Sequence, residues 1–157
     1  MFQLNHRSAL QNASFVKDAI DELVSGRCVI ECASCPIVCS PLSVVANASG
    51  KQRLVVDLRY VNQFLPVRKF KYEGLELVPT LFQPGDYFTT FDLKSGYHHV
   101  DIHEDSWPYL GFSWDSGITR RCFMFRVLPF GLSTACYVFT KLYVRWLGGG
   151  DPEVLGA

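Results

Sequence analysis

The sequence lacks an excess of charge of either sign, since Lys and Arg number 15, Asp and Glu also number 15, and the net charge is zero. Long-range attraction to nucleic acid is therefore not expected from the chain as a whole. Basic residues do cluster in three short stretches that could contact phosphates locally: Lys51–Arg53, Arg68–Lys71 and Arg120–Arg121.

The sequence also lacks the roughly 18 consecutive apolar residues that a transmembrane helix requires. Its first residues, Met1 to Arg7, lack the apolar core of a secretory signal. We therefore expect an intracellular protein of the nucleus or cytoplasm that is neither secreted nor membrane-bound.

The six cysteines of such a protein are expected to be reduced thiols. Four of them lie close together, and their spacing could hold zinc: Cys28, Cys32, Cys35 and Cys39. The spacing is not that of a standard zinc knuckle, and Pro36 disfavours convergence of the sulfurs. Apolar packing is therefore the preferred interpretation.

Hydrophobic residues are plentiful, at 48% of the 157 residues, which indicates a packed core in one domain or part of one. Apolar periodicity and turn residues predict, in order, a helix over 12–24, a hairpin with its turn at 46–50, a helix over 59–65, a strand over 88–92, a hairpin around 115–117 and a helix over 134–147. This order predicts an α+β fold with a mostly antiparallel sheet and flanking helices.

The most informative stretch runs from Phe88 to Tyr97. An apolar, β-prone run ends in Asp92, and a turn of small residues separates this acid from Tyr97. A carboxylate at the end of a strand can bind Mg²⁺, and backbone N–H groups of the following turn can bind phosphate. Alone, Asp92 would be a capping residue and Tyr97 a core aromatic. Together they predict a nucleotide and metal site.

Three blocks resemble the first half of a reverse transcriptase, an RNA-directed DNA polymerase: residues 41–62, 91–102 and 128–141. The likeness extends over roughly residues 20 to 146. The block that contains Asp92, together with the segment from Tyr109 to Trp114, is most similar to the DIRS-type retrotransposons of animals. Those elements combine this polymerase with a recombinase, so recombinase or nuclease regions could belong to the full element.

The resemblance implies the fingers and a partial palm of a right-hand polymerase within one domain over 1–157. Residues 28–85 would be fingers-like, 86–147 a partial palm and 148–157 a divergent tail. The implied reaction is template-directed addition of deoxynucleotides by two-metal phosphoryl transfer. The implied partners are an RNA or DNA template with its primer and deoxynucleoside triphosphates.

The resemblance also assigns roles to the second block. Asp92 matches the first catalytic carboxylate, which binds two Mg²⁺ ions in an intact family member, and the carbonyl of Leu93 would bind one of them. Ser95 and Gly96 would direct backbone N–H groups at the triphosphate. Tyr97 matches the steric gate that rejects a ribose 2′-hydroxyl.

The first and third blocks supply further nucleotide contacts by the same resemblance. Arg53 and Lys51 match finger residues that close on the phosphates of the incoming nucleotide. Phe130 and Gly131 match a loop that lines the base and the template.

Two other groups are expected to be structural. Asp57 and Arg59 are predicted to tie the finger together by hydrogen bonds. His98 and His99 are adjacent and therefore diverge, which makes them poor joint metal ligands.

The third motif of the family, Tyr-x-Asp-Asp, does not occur in these 157 residues. Asp151 stands in the wrong context to replace it. We therefore expect a truncated polymerase that is inactive alone, because one carboxylate cannot hold two metal ions. The alternatives are a non-catalytic module that binds nucleotide or nucleic acid, and a decayed genomic fragment without a role.

Overall fold

The computed structural model describes residues 1–66, 83–87, 89, 92–115, 117 and 119–146. Its helices are α1 (Arg7–Gln11), α2 (Ala13–Ser25), α3 (Arg59–Asn62) and α4 (Ala135–Trp146). Its strands are β1 (Val29–Cys32), β2 (Cys39–Ser40), β3 (Leu42–Ala46), β4 (Gln52–Val56), β5 (Gly111–Asp115) and β6 (Arg120–Phe125). Among the described residues, the 3₁₀ helices Gly96–His99 and Glu104–Tyr109 precede β5.

A four-stranded sheet with the order β1-β6-β5-β2 forms the centre of the fold. The β1–β6 and β5–β6 pairs are antiparallel, whereas the short strand β2 runs parallel to β5. The rings of Phe112 and Phe123 stack at 5.2 Å between centroids, and both side chains are fully buried. Helix α2 contributes Val16 and Ile20 to the same core, at the helical spacing that its sequence shows.

A separate two-stranded sheet pairs β3 with β4 in antiparallel register, from Leu42 opposite Val56 to Ala46 opposite Gln52. Asn47 shapes the turn, because its Oδ1 accepts hydrogen bonds from the backbone N–H groups of Ser49 and Lys51 at 3.1 and 2.9 Å. This hairpin is called the finger; its exposed charged residues are Arg53 on β4 and Lys51, which precedes that strand.

Most predicted elements are confirmed within the part of the chain that is described. The first and last predicted helices correspond to α2 and α4, and both predicted hairpins form. The predicted strand over 88–92 lies mostly outside the described residues, as do the basic cluster at 68–71 and the tail at 148–157. None of the helices described is long and apolar enough to cross a membrane.

One expectation is wrong. Cys35 and Cys122 form a disulfide, so the six cysteines are not all reduced thiols in this structure. The sequence could not show this pair, because 87 residues separate the two cysteines and only the sheet brings them together.

Candidate nucleotide site

Asp92 lies at the mouth of a cleft of about 310 Å³ that is lined mainly by aromatic side chains. The lining residues are Asp92, Leu93, Gly96, Tyr97, Phe130, Phe139 and Tyr143. Five of the predicted site residues therefore share one cleft. The side chain of Asp92 is exposed, so a ligand can reach its carboxylate from solvent.

The turn after Asp92 has an unusual backbone. Ser95 adopts the left-handed conformation, with φ of 54°, immediately before the 3₁₀ helix Gly96–His99. Gly96 packs against α4, since a Cβ at this position would lie 2.9 Å from Cζ of Phe139. The absence of a side chain at Gly96 thus lets the turn and α4 approach closely enough to form the cleft.

Tyr97 is held by contacts on several sides. Its ring lies 4.9 Å from that of Phe130 and 5.3 Å from that of Phe139, the latter in an edge-on arrangement. Its hydroxyl lies 3.0 Å from Sγ of Cys136 on α4. These contacts fix the ring as a wall of the cleft. The sequence did not indicate Phe139 or Cys136 as members of the site.

The loop that carries Phe130 and Gly131 is anchored by Asn62 at the end of α3. Nδ2 of Asn62 donates to the carbonyl of Gly131 at 2.9 Å, and Oδ1 accepts from the backbone N–H of Ser133 at 2.8 Å. Gly131 has φ of 91°, a conformation that favours glycine. Asn62 is the last residue of the first block, 41–62, that resembles a reverse transcriptase. Its place in that block is the one sequence signal that could have indicated a role in the site.

Replacing Asn62 by Ala should lower the free energy of unfolding by about 1–2 kcal/mol, because two hydrogen bonds to a distant loop disappear. Urea denaturation measures this loss. The matched control is Gln63→Ala, one residue along and exposed, which should change stability by less than about 0.5 kcal/mol. Equal losses in both variants would contradict the anchoring role.

Asp57 and Arg59, which the sequence predicts to tie the finger together by hydrogen bonds, are bonded to each other. Nε and Nη2 of Arg59 donate to the two carboxylate oxygens of Asp57 at 2.9 and 2.6 Å. These bonds hold the pKa of Asp57 at about 2, below its ordinary 3.8. His6, which the sequence did not indicate, also approaches Asp57, with Nε2 3.6 Å from Oδ2.

This low pKa predicts an acid-sensitive contribution to stability. A depressed carboxyl pKa stabilises the fold above about pH 4, and the contribution disappears as the pH falls through about 2. Asp57→Asn should therefore be less stable than the parent at pH 6, and the difference should shrink towards pH 2. Denaturation across this range measures the difference. Asp18→Asn, on the exposed side of α2, should show no such convergence.

Lys51 and Arg53 are exposed on the finger and are not among the residues that line the Asp92 cleft. Arg53 lies on β4 opposite Val45. Gly131 lines a neighbouring cleft of about 480 Å³ beside β4, with Val56 and Asn62. The structure therefore brings Phe130 to Asp92 and Gly131 to the base of the finger, and it leaves the two basic side chains apart from both.

The donor set in the Asp92 cleft can be compared with what Mg²⁺ requires. Mg²⁺ binds one or two carboxylates, with water and phosphate oxygens completing its shell. Among the described residues that line this cleft, Asp92 is the only carboxylate. It fits one ligand of one ion, and this set does not fit a two-ion centre.

The sequence of this chain is similar to those of retroelement and viral polyproteins. The retrovirus-related Pol polyprotein from transposon 412 of Drosophila melanogaster is 27% identical over 157 residues, which cover 98% of this chain and 12% of that protein. The enzymatic polyprotein of figwort mosaic virus is 30% identical over 116 residues, which cover 71% of this chain and 17% of that protein. No family model matches the chain. The chain thus spans less than a fifth of these curated relatives.

Solved structures show the same fold at low sequence identity. A prototype foamy virus protease-reverse transcriptase matches with a TM-score of 0.73 and 21% identity, over 94% of this chain and 19% of that one. A foamy viral protease-reverse transcriptase in complex with an RNA/DNA hybrid matches with a TM-score of 0.68 and 20% identity, over 93% of this chain and 19% of that one. The chain therefore has the α+β fold of these reverse transcriptases, over the part that corresponds to the fingers and part of the palm.

Proposed function

We propose that this chain is the nucleotide-binding part of an RNA-directed DNA polymerase from a retrotransposon. The observation that supports this most is the convergence of Asp92, Gly96, Tyr97 and Phe130 on one solvent-open cleft. These residues come from two of the three blocks that resemble a reverse transcriptase. The reaction of the whole polymerase would be addition of deoxynucleotides to a primer on an RNA or DNA template. Solved relatives of this fold hold double-stranded DNA or an RNA/DNA hybrid.

In this proposal each side chain has a defined task. Asp92 and the carbonyl of Leu93 bind Mg²⁺ that arrives with a deoxynucleoside triphosphate. Backbone N–H groups of Ser95 and Gly96 receive phosphate oxygens. The ring of Tyr97 packs beneath the sugar, where a 2′-hydroxyl would collide with it. Arg53 and Lys51 reach the phosphates only if the finger moves towards the cleft.

The first experiment measures binding of dATP to this chain by calorimetry, with Mg²⁺ and with EDTA. We expect the chain to bind dATP more tightly with Mg²⁺ than with EDTA. We also expect ATP to bind more weakly than dATP, because the ring of Tyr97 would collide with the 2′-hydroxyl. Replacement of Tyr97 by Ala should reduce this preference for dATP. Absence of dATP binding at millimolar concentration would overturn the proposal and would favour the decayed fragment.

The second experiment is primer extension with the same chain and Mg²⁺. We expect no extension, because the 157 residues contain Asp92 but no Tyr-x-Asp-Asp. A two-ion centre needs carboxylates on both sides of the ion pair. Robust synthesis by this chain would show that its own residues complete the centre.

A second candidate is a non-catalytic module that retains nucleotide or template contact, because Asp92 is the only carboxylate among the described residues that line the cleft. The two candidates differ in what happens when the missing motif is supplied. Appending the corresponding palm segment of a related element should restore extension in the polymerase case. Binding without restored extension would support the non-catalytic module.

We further propose that the source element is of the DIRS type, with a recombinase encoded elsewhere in it. The support is the sequence from Asp92 to Val100 and from Tyr109 to Trp114. Sequencing the genomic element that contains this frame tests the proposal. An integrase and long terminal repeats in place of a tyrosine recombinase would contradict it.

A further inference from the structure

Three cysteine sulfurs converge on one face of the four-stranded sheet, away from the nucleotide site. The Sγ atoms of Cys35, Cys39 and Cys122 all lie within 4.8 Å of one another. Cys35 and Cys122 are disulfide-bonded in this structure, with 5.3 Å between their Cα atoms, and Cys39 is a free thiol. The disulfide therefore does not explain why the sulfur of Cys39 lies beside the other two.

The register of the sheet explains why two of these side chains share a face. Cys122 on β6 pairs with Ser113 on β5, and Cys39 on β2 pairs with Gly111 on the other edge of β5. Gly111 and Ser113 are two residues apart and therefore belong to the same face of β5. Paired residues of neighbouring strands share a face, so the side chains of Cys39 and Cys122 do as well.

The third sulfur comes from the loop between β1 and β2, which folds over this face. A Cβ on Gly111 would lie 2.3 Å from Cγ of Pro36, so the loop presses directly against the glycine. This contact holds the preceding residue, Cys35, above the sheet. The sequence predicts that Pro36 disfavours convergence of the cysteines, and in the structure it instead packs where the loop must approach.

The cluster is buried on the side of Cys39 and Cys122 and open to solvent on the side of Cys35. Cys39 and Cys122 are only 1% and 5% exposed, whereas Cys35 is exposed at the surface. Cys32 lies next to the cluster, because its Sγ donates to the carbonyl of Cys122 at 3.2 Å. A small cation could therefore enter from the side of Cys35. The sulfur of Cys32 is the fourth one nearby, because Cys32 on β1 pairs with Cys122 on β6.

We propose that Cys35, Cys39 and Cys122, once the disulfide is reduced, bind a thiophilic divalent cation of the zinc class. Sulfurs that share a tetrahedral zinc lie roughly 3.8 Å apart, given Zn–S bonds of about 2.3 Å. The observed limit of 4.8 Å requires only a small rearrangement to reach that geometry. Cys32 or a water molecule would complete the coordination shell. In the described part of the chain, no other group of three His, Cys, Asp or Glu side chains is this close together.

The disulfide is first reduced, and the cation then binds the thiols. A dithiol reductant cleaves the Sγ–Sγ bond between Cys35 and Cys122 by donating two electrons and two protons, and becomes a cyclic disulfide itself. The cation then displaces the thiol protons, which pass to the buffer, and forms bonds to the sulfurs. The same cluster thus has an oxidised form that excludes the cation and a reduced form that binds it.

The test uses the full chain after reduction with a dithiol and removal of the reductant without oxygen. Co²⁺ serves as the optical probe, because thiolate ligands give it an intense charge-transfer band, and Zn²⁺ should displace it. We expect one equivalent of metal per reduced chain and no tight binding by the oxidised chain. Retention of the same affinity after oxidation of Cys35 and Cys122 would overturn the proposal.

Variants separate the site from adventitious thiol binding. Cys35→Ser should weaken Zn²⁺ binding by roughly 100-fold or more, because it removes a direct ligand and even the loss of an outer-shell partner costs about 10–100-fold. The core should stay intact because Cys35 is exposed. Cys122→Ser should have a similar effect. Cys28→Ser is the matched control, since its Sγ lies 3.7 Å from Nδ1 of His98 and outside the cluster. Circular dichroism confirms folding of each variant. Equal loss in Cys28→Ser and Cys35→Ser, or no metal on the reduced parent, would refute the site.

Discussion

Replacement of Phe112 by Ala should lower the free energy of unfolding by about 3–5 kcal/mol, because it removes a large ring from the centre of the core. Phe112 is fully buried on β5, a central strand of the four-stranded sheet. Its ring stacks on Phe123 at 5.2 Å and lies 5.6 Å from Phe125. Truncation to a methyl group removes these contacts and leaves a cavity on the buried face of the sheet, which the paired strands can fill only partly.

Urea denaturation followed by tryptophan fluorescence measures the loss for Phe112. The matched control is Phe64→Ala, because the side chain of Phe64 is 71% exposed and should cost less than about 1 kcal/mol. Comparable losses in the two variants would mean that the four-stranded sheet is not the main source of stability. Loss of nucleotide binding should accompany the Phe112 change, since β6 leads directly into the loop that carries Phe130.

Elements with a local cause could be predicted from the sequence. Helix α2 follows from apolar residues at helical spacing, and the finger hairpin follows from the turn chemistry of Asn47 and Gly50. The pairing of β5 with β6 likewise follows from two β-prone runs on either side of the short turn around 115–117. In each case the residues that determine the element lie within it, so no tertiary information was required.

Contacts between distant residues could not be predicted in this way. Asn62 bonds to Gly131 across 69 residues, and the Cys35–Cys122 disulfide spans 87. Such contacts depend on strand order and register, which local patterns do not determine. The parallel pairing of β2 with β5 is a further example, because a strand of two residues carries almost no pattern of its own.

The candidate site also contains residues that are contiguous in sequence, which could be predicted, and distant ones, which could not. The turn from Asp92 to Tyr97 is contiguous, so its likeness to a polymerase motif identified it directly. Phe139 completes the cleft from α4, far along the chain from Gly96, and only the close approach of Gly96 to its ring reveals this role. The closure of Arg53 on the same cleft stays a prediction, because it requires a movement of the finger.

Conversion of Asp92 to Asn should remove the part of dATP binding that depends on Mg²⁺, a loss of roughly tenfold or more in affinity. Asn keeps the size of the side chain and loses the negative charge that attracts the cation. Because Asp92 is exposed at the mouth of the cleft, the substitution should leave stability within about 0.5 kcal/mol of the parent. A loss of nucleotide binding can then be assigned to the site and not to unfolding.

The decisive comparison measures dATP binding by the parent and by Asp92→Asn, each with EDTA and with Mg²⁺. With EDTA, Asp92→Asn should bind dATP at least as tightly as the parent, because a carboxylate without a cation repels the triphosphate. With Mg²⁺, the parent alone should gain affinity, whereas the control Asp18→Asn should behave like the parent. If Asp92→Asn gains as much from Mg²⁺ as the parent does, the metal binds the triphosphate without this carboxylate. The cleft would then hold a nucleotide but would not be the remnant of a metal-dependent catalytic centre.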